Sequence, residues 1–346
     1  QGLYGIMKKA DRYIRFAFLT GVTRYGKLGI FSAANNPQDI SMNDDFASIC
    51  GITEEELRRY FDAEVEVFAK KQHVDKDAMY EMLKQKYDGY HFSSNSEDIY
   101  NPFSLLNSLK TRSLSNYWFA TGTPTYLVTI LKKKSYDLSK FSRGVTVMVE
   151  SMTSFGNGDG SVIAALYQSG YLTIKSYDGK KYYRLGFPNE EVEDGFVQCL
   201  MEEYTVTTSG EIDEDLQHLG SLISMGDING FMTQIQQVMS QIPFESNEPK
   251  LIEANFRNML YLMIRSTGHK VLVEYPVLGG RIDVFFQTEQ FAYVIECKRD
   301  QSAAEALAQI DEKKYADKLS VQNKKIVKIG VNFSTEERNL TEWKEG

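Results

Sequence analysis

Apolar and polar positions change their pattern near Pro249, and the change divides the chain into two textures. Before it, helix signals dominate. Thr53-x-x-Glu56 is a capping box and predicts a helix through about Phe68. Asp75–Tyr87 predicts a second helix that stops near Asp88-Gly89, and Asn101-Pro102 opens a third from Phe103 to about Lys110. Thr121–Pro124 breaks the chain before a helix from about Thr125. Ser161–Ser169 predicts a short helix. Two strands, Tyr171–Ile174 and Tyr182–Leu185, then flank Asp178-Gly179, a strong hairpin turn signal. Glu190–Tyr204 and Asp213–Met239 return to helix. Upstream, Arg15–Val22 reads as a buried strand and Lys27–Ser32 as a second short apolar element.

After Pro249 the predicted order is α-β-β-β-α-β. The elements are a helix over Leu251–Ser266, strands over Val271–Leu278, Ile282–Phe286 and Phe291–Cys297, an Ala-rich helix over Ser302–Leu319, and a strand over Lys325–Phe333. The expected fold is therefore an α/β C-terminal domain preceded by a mostly α region. Helix followed by hairpin around 161–185 has the shape of a winged-helix wing, with Lys175, Lys180 and Lys181 as its nucleic-acid contacts. The alternative is a hairpin that only packs on helices.

Composition narrows the function classes. The 346 residues are 42% hydrophobic and 25% charged, as in ordinary globular proteins. No apolar run approaches the roughly 18 residues that span a bilayer, so no membrane partner is expected. Cys50, Cys199 and Cys297 are odd in number and lack metal-type spacing, which predicts a reduced, cytoplasmic protein. The net charge of −8 argues against a protein that coats nucleic acid indiscriminately. That charge sits wholly in the first 250 residues, with 25 Lys+Arg against 33 Asp+Glu. The remainder is neutral, 14 against 14, and is the plausible nucleic-acid face.

The most distinctive chemistry lies in Gly280–Lys298, "GRIDVFFQTEQFAYVIECK". Asp283 stands inside one apolar run, and Glu296 and Lys298 end the next one thirteen residues later. Buried carboxylates need a partner. A divalent cation, Mg²⁺ or Mn²⁺, takes two carboxylates and tolerates a nearby ammonium. Strand alternation puts Val294, Glu296 and Lys298 on one face and Cys297 on the other. Asp283, on the neighbouring strand, can reach the same face, and the Cys297 carbonyl is a further expected ligand. Glu253 lies in register with Phe256, Leu260 and Ile264 on the apolar stripe of its helix, a poor place for an unpaired charge. Plain structural readings exist for each residue: a helix N-terminal acid, a turn-proximal aspartate and a cross-strand Glu296–Lys298 pair.

The D-x12-E-x-K arrangement in α-β-β-β-α-β order resembles the PD-(D/E)XK nuclease superfamily, whose core is restriction-endonuclease-like. The resemblance implies metal-dependent phosphodiester hydrolysis by Asp283, Glu296 and Lys298. It also brings Glu253 to the metal and Gln309 to phosphate or coordinated water, with Tyr315 a weaker candidate. Nucleic acid, DNA above RNA, is the implied partner. The alternative is an inactive nuclease-fold module that binds nucleic acid or protein in an ATPase regulator.

A wider resemblance covers nearly the whole sequence. "RFAFLTGVTRYGKLGIFSAANNPQDIS", "KYDGYHF", "YNPFSLLNSL" and "YWFATGTP" are similar to bacterial AAA-ATPase-like proteins that end in a PD-(D/E)XK domain. It implies that Thr20, Thr23 or Arg24 acts as a sensor residue and that ATP is a partner only where a phosphate-binding segment precedes Gln1. Gly21–Lys27 fits G-x4-G-K, but Leu28 replaces the Ser or Thr that a P-loop needs, so no ATPase activity is expected of this chain alone. The expected organisation is an ATPase-like remnant over 1–45, a helical lid-like region over 46–155, a winged-helix-like or helical region over 156–240, and the nuclease-like domain over 241–346.

Overall fold

A computed structural model of the chain describes residues 10–18, 20, 38–119, 125–134, 136–152, 159–205, 209–242, 249–315, 319 and 323–346. In chain order the helices are α1 (Glu54–Tyr60), α2 (Asp62–Gln72), α3 (Lys76–Tyr87), α4 (Pro102–Thr111), α5 (Thr125–Lys133), α6 (Lys140–Arg143), α7 (Val149–Met152), α8 (Asp159–Gln168), α9 (Glu190–Tyr204), α10 (Ser209–Met225), α11 (Ile228–Ser240), α12 (Pro249–Ser266) and α13 (Ala303–Glu312). The strands are β1 (Val145–Met148), β2 (Thr173–Tyr177), β3 (Tyr182–Gly186), β4 (Val271–Val277), β5 (Gly280–Gln287), β6 (Phe291–Arg299), β7 (Lys325–Ser334) and β8 (Asn339–Glu345). Two compact units divide the described residues. One is drawn from the chain up to Leu127 and from Gly144–Phe196, the other from Val128–Arg143 and Val197–Gly346. The P-loop-like stretch Gly21–Leu28, with Thr23 and Arg24, lies outside the described residues.

The first unit is built on helix caps. Thr53 Oγ1 accepts from Glu56 N at 3.1 Å, and Glu56 Oε2 accepts from Thr53 N at 2.9 Å, so the capping box closes in both directions. The single helix expected through Phe68 is instead two, broken at Phe61, whose φ of −126° leaves the helical range. Asp62 restarts the chain by accepting from Tyr80 Oη at 2.9 Å, which ties α2 to α3. Leu57, Val65, Phe68, Leu83, Tyr87 and Tyr100 fill the space between these helices. The hairpin β2–β3 forms around Asp178-Gly179. Asp178 Oδ1 accepts the backbone N–H groups of Lys180, Lys181 and Tyr182, and Gly179 takes φ +75°. An unforeseen strand, β1, pairs antiparallel with β3. Lys175 donates to Pro188 O at 3.0 Å and, like Lys180 and Lys181, is exposed.

The second unit centres on a mixed five-stranded sheet in the order β4-β5-β6-β7-β8. All neighbours are antiparallel except β6 and β7, which run parallel and are joined through α13. α13 packs on one face, over a core of Phe285, Ala292, Val294, Ile310 and Tyr315. The other face carries the Phe286–Tyr293 stack, with centroids 4.5 Å apart, against Phe231 of α11. Phe256 of α12 meets Phe333 at 4.3 Å. Gly330 of β7 lets α13 approach: a Cβ there would stand 2.2 Å from the Ala303 carbonyl oxygen. The helix expected over Asp213–Met239 breaks at Gly226-Asp227, where Gly226 takes φ +75° and Asp227 Oδ1 caps α11 through Gly230 N at 2.9 Å. α13 stops at Glu312, earlier than expected. Among the described residues no helix is long and apolar enough to cross a membrane.

Candidate active site

The hairpin β5–β6 brings the two acids of the sequence pattern together. One step beyond the Val284–Ile295 pair, Asp283 and Glu296 face each other across the strands. They share the α13-facing side with Phe285 and Val294, because side chains alternate along each strand. Asp283 Oδ2 accepts the backbone N–H of Cys297 at 2.8 Å. Glu296 is buried, at 3% exposure, and its Oε2 has no hydrogen-bond partner. An orphaned carboxyl oxygen in such a place costs about 1–3 kcal/mol.

Burial sets the electrostatics. It pushes the Glu296 carboxyl up to about 8, the charge of Asp283 adds to the rise, and Lys298 and Gln309 pull it partly back. Burial also raises Asp283, against the Cys297 N–H, Lys298 and Arg257, which lower it. Lys298 lies two residues on from Glu296, on the same face, and donates from Nζ to Gln309 Oε1. Gln309 in turn donates from Nε2 to Glu296 Oε1. The helix α13, seated close by Gly330, thus links the lysine and the glutamate through one amide. Tyr315, buried just beyond α13, hydrogen-bonds to Gln309, and burial raises its phenol.

The donor set fits a hard divalent cation. Two facing carboxyls supply oxygen, one of them orphaned, and such cations take one or two carboxylates with substrate and solvent oxygens completing the shell. Among the described residues no cluster of three or more His, Cys, Asp or Glu could form an all-protein metal cage. Glu253 lies on α12, one turn before Arg257, and its side chain is outside the described residues.

Sequence reasoning missed the groups beside this pair. Glu274 interrupts the apolar run of β4, as Asp283 does in β5, and that shared signal could have found it. It lies between the Val273–Val284 and Tyr275–Ile282 pairs, so it stands opposite Asp283. Its φ of +48° is left-handed backbone inside a strand, which costs a non-glycine residue about 1–2 kcal/mol. Three arginines converge on its carboxylate: Arg143 at 3.1 Å and Arg281 at 3.2 Å on Oε2, and Arg257 at 3.5 Å on Oε1.

Comparison with known proteins takes in this same region. The model of the PD-(D/E)XK nuclease superfamily matches residues 251–343, from α12 into β8. This part of the chain is a PD-(D/E)XK nuclease superfamily domain. Over 348 aligned residues the chain is 30% identical to a protein of Azotobacter chroococcum mcd 1 described as an uncharacterized protein in the vnfD 5′ region. The alignment covers 98% of this chain and 65% of that relative, so the chain spans less than two thirds of its length. No solved structure matches the chain. In the PD-(D/E)XK domain the mixed sheet carries every candidate side chain except Glu253, Gln309 and Tyr315, which belong to α12, α13 and the turn after it.

Proposed function

We propose that the PD-(D/E)XK domain hydrolyses phosphodiester bonds in nucleic acid, DNA in preference to RNA, with Mg²⁺ or Mn²⁺ held by Asp283 and Glu296. The carrying observation is the partnerless Glu296 oxygen facing Asp283, with Lys298 tied to the same glutamate through Gln309. A bound divalent cation supplies Lewis-acid polarisation of the phosphoryl oxygen. Asp283, anchored by the Cys297 N–H, fixes one ligand position. Lys298 donates protons in hydrogen bonds and offsets negative charge developing on the phosphoryl group. Gln309 orients both Lys298 and Glu296, and Glu253 is a third acid for the same site. The wording of the segments before Pro249 supports attachment to an AAA-ATPase-like part in a cytoplasmic protein.

Asp283→Asn keeps the shape and removes the charge. The expected result is loss of Mg²⁺-dependent cleavage of a DNA duplex with an unchanged fold. Undiminished cleavage in Asp283→Asn, abolished by chelator in the parent, would overturn the reading. The closed Lys298–Gln309–Glu296 linkage, satisfied by the chain's own groups, favours a second reading: a nuclease fold that binds nucleic acid without cutting it. Calorimetric titration with Mn²⁺ separates the two, since the second reading expects no Asp283-dependent heat.

A further inference from the structure

We infer that the open face of the three-stranded β1-β3-β2 sheet, with Tyr182 and Met148 beside the Lys180-Lys181 tip, binds single-stranded DNA. The inference rests on the nuclease reading only for the choice of DNA over RNA. The surface itself belongs to the first compact unit, whereas Asp283 and Glu296 belong to the second.

The register gives the sheet two unlike faces. Val147, Tyr183 and Tyr177 line up across it, as do Val145, Leu185 and Ile174, and on this side Tyr183, Leu185 and Ile174 are buried. The alternate positions look outward. Met148 pairs with Tyr182, and Thr146, Arg184 and Ser176 form the next row. All five are exposed, and none is acidic. The wet face of an antiparallel sheet is ordinarily polar. Here the row nearest the hairpin tip is an aromatic ring and a thioether, 43% and 42% exposed.

Charge decides what covers that row. Lys180 and Lys181 stand directly before Tyr182. Both are exposed, and among the described residues neither enters an ion pair. Asp178, the acid of the hairpin, is spent on the backbone, where its Oδ1 accepts from Lys180 N, Lys181 N and Tyr182 N. Exposed cations beside a flat apolar ring suit a polyanion with accessible bases: phosphates meet the lysines while a base stacks on the ring. A duplex keeps its base faces stacked on one another, so this chemistry selects a single strand. The chain as a whole carries −8, and the tip runs against that average.

The tip is also ordered before any strand arrives. Tyr177 Oη donates to Lys180 O at 3.0 Å, and Tyr177 stacks on Tyr183 with centroids 4.6 Å apart on the packed side. Gly179 closes the turn at φ +75°. Little ordering cost is therefore left to binding.

The test is strand binding by the full chain with chelator present, which keeps the probe uncut. Fluorescence anisotropy is followed for a labelled oligothymidylate, with the matching RNA strand and a DNA duplex as competitors and salt varied over roughly 50–300 mM. Tyr182→Ala should weaken binding about 5–100-fold, and Tyr182→Phe, which keeps the ring, should bind like the parent. Lys180→Gln with Lys181→Gln should reduce the slope of log K against log salt by about 1.4. These lysines are exposed, so that variant tests the surface even where Tyr182→Ala disturbs folding. Tyr126→Ala, at a 76% exposed tyrosine of α5, should change nothing. The inference is overturned if the hairpin variants behave like Tyr126→Ala, if the parent binds no strand in a salt-dependent way, or if RNA or duplex competes better than the DNA strand. Mg²⁺-dependent cleavage is scored separately. Hairpin-dependent binding without cleavage removes the hydrolytic reading alone, and cleavage with hairpin variants binding like the parent removes this one alone.

Discussion

Asp283 and Glu296 face each other, yet they are unequally satisfied: Asp283 accepts the Cys297 N–H at 2.8 Å, whereas Glu296 Oε2 has no partner. The pair therefore has a built-in order of ionisation. Asp283 is the easier group to charge, and Glu296 holds the proton, with its carboxyl pushed up to about 8 by burial first and by Asp283 second.

Cation affinity should follow that proton. A cation must displace it, so Mn²⁺ affinity should rise about tenfold per pH unit between pH 6 and 8 and flatten above about 8. Calorimetry in two buffers of different ionisation enthalpy reads the one released proton. A flat affinity over this range would remove the protonated Glu296 from the account.

Gln309 is the joint between Lys298 and Glu296. Gln309→Leu should keep the fold and lower cation affinity or turnover by roughly 10–100-fold, the range for outer partners of a metal site. Gln309→Glu should lower turnover through a different route, by adding a third carboxyl beside two that already ionise reluctantly. Steady-state kinetics with Mn²⁺ titrated at each pH distinguishes the two variants.

Gly330→Ala tests how α13 is seated. The new Cβ would meet the Ala303 carbonyl oxygen at 2.2 Å and Leu307 N at 2.6 Å, both backbone atoms that cannot swing aside. Overpacking of this kind costs about 1–3 kcal/mol. The expected result is a lower Tm together with a loss of cation affinity, because Gln309 moves with the helix. An unchanged Tm would show that α13 is not held at this distance.

Asp88 gives a pH dependence in the other compact unit. Its carboxyl is pushed up to about 6, chiefly by burial, and Oδ1 has no hydrogen-bond partner. The folded state keeps the proton where the unfolded state loses it. This contribution to stability is complete below about pH 4 and is lost as pH rises through about 6. Asp88→Asn should remove the decline, amounting to about 1–2 kcal/mol after allowance for solvent screening. Trp118 fluorescence in a Trp343→Phe background reports this unit's melting from pH 4 to about 7.

Much of the architecture is written in local signals. The Thr53–Glu56 box, the Asp178-Gly179 turn and the three apolar runs after Val271 each specify their element through contacts a few residues apart. What stayed illegible depends on distant partners. β8 reads "NLTEWKE", a polar segment that becomes a strand only because β7 offers it an edge. The break at Phe61 follows from Tyr80 claiming Asp62, eighteen residues away. At the candidate site, alternation along two adjacent strands made the neighbourhood of Asp283 and Glu296 readable. The arginine cluster was not, since Arg143 reaches Glu274 across 131 positions of sequence.

The stacked Phe286–Tyr293 pair occupies the reverse side of the same hairpin that presents Asp283 and Glu296. Odd and even steps along β5 and β6 therefore have separate tasks, one set anchoring the sheet to α11 and the other handling charge. Moving either strand by a single residue exchanges the sets, pressing carboxylates into the aromatic layer and turning rings toward Gln309. The short turn over Thr288–Gln290 is thus a phase setter: one inserted residue there would cost the protein its facing carboxyls and its aromatic layer at the same moment.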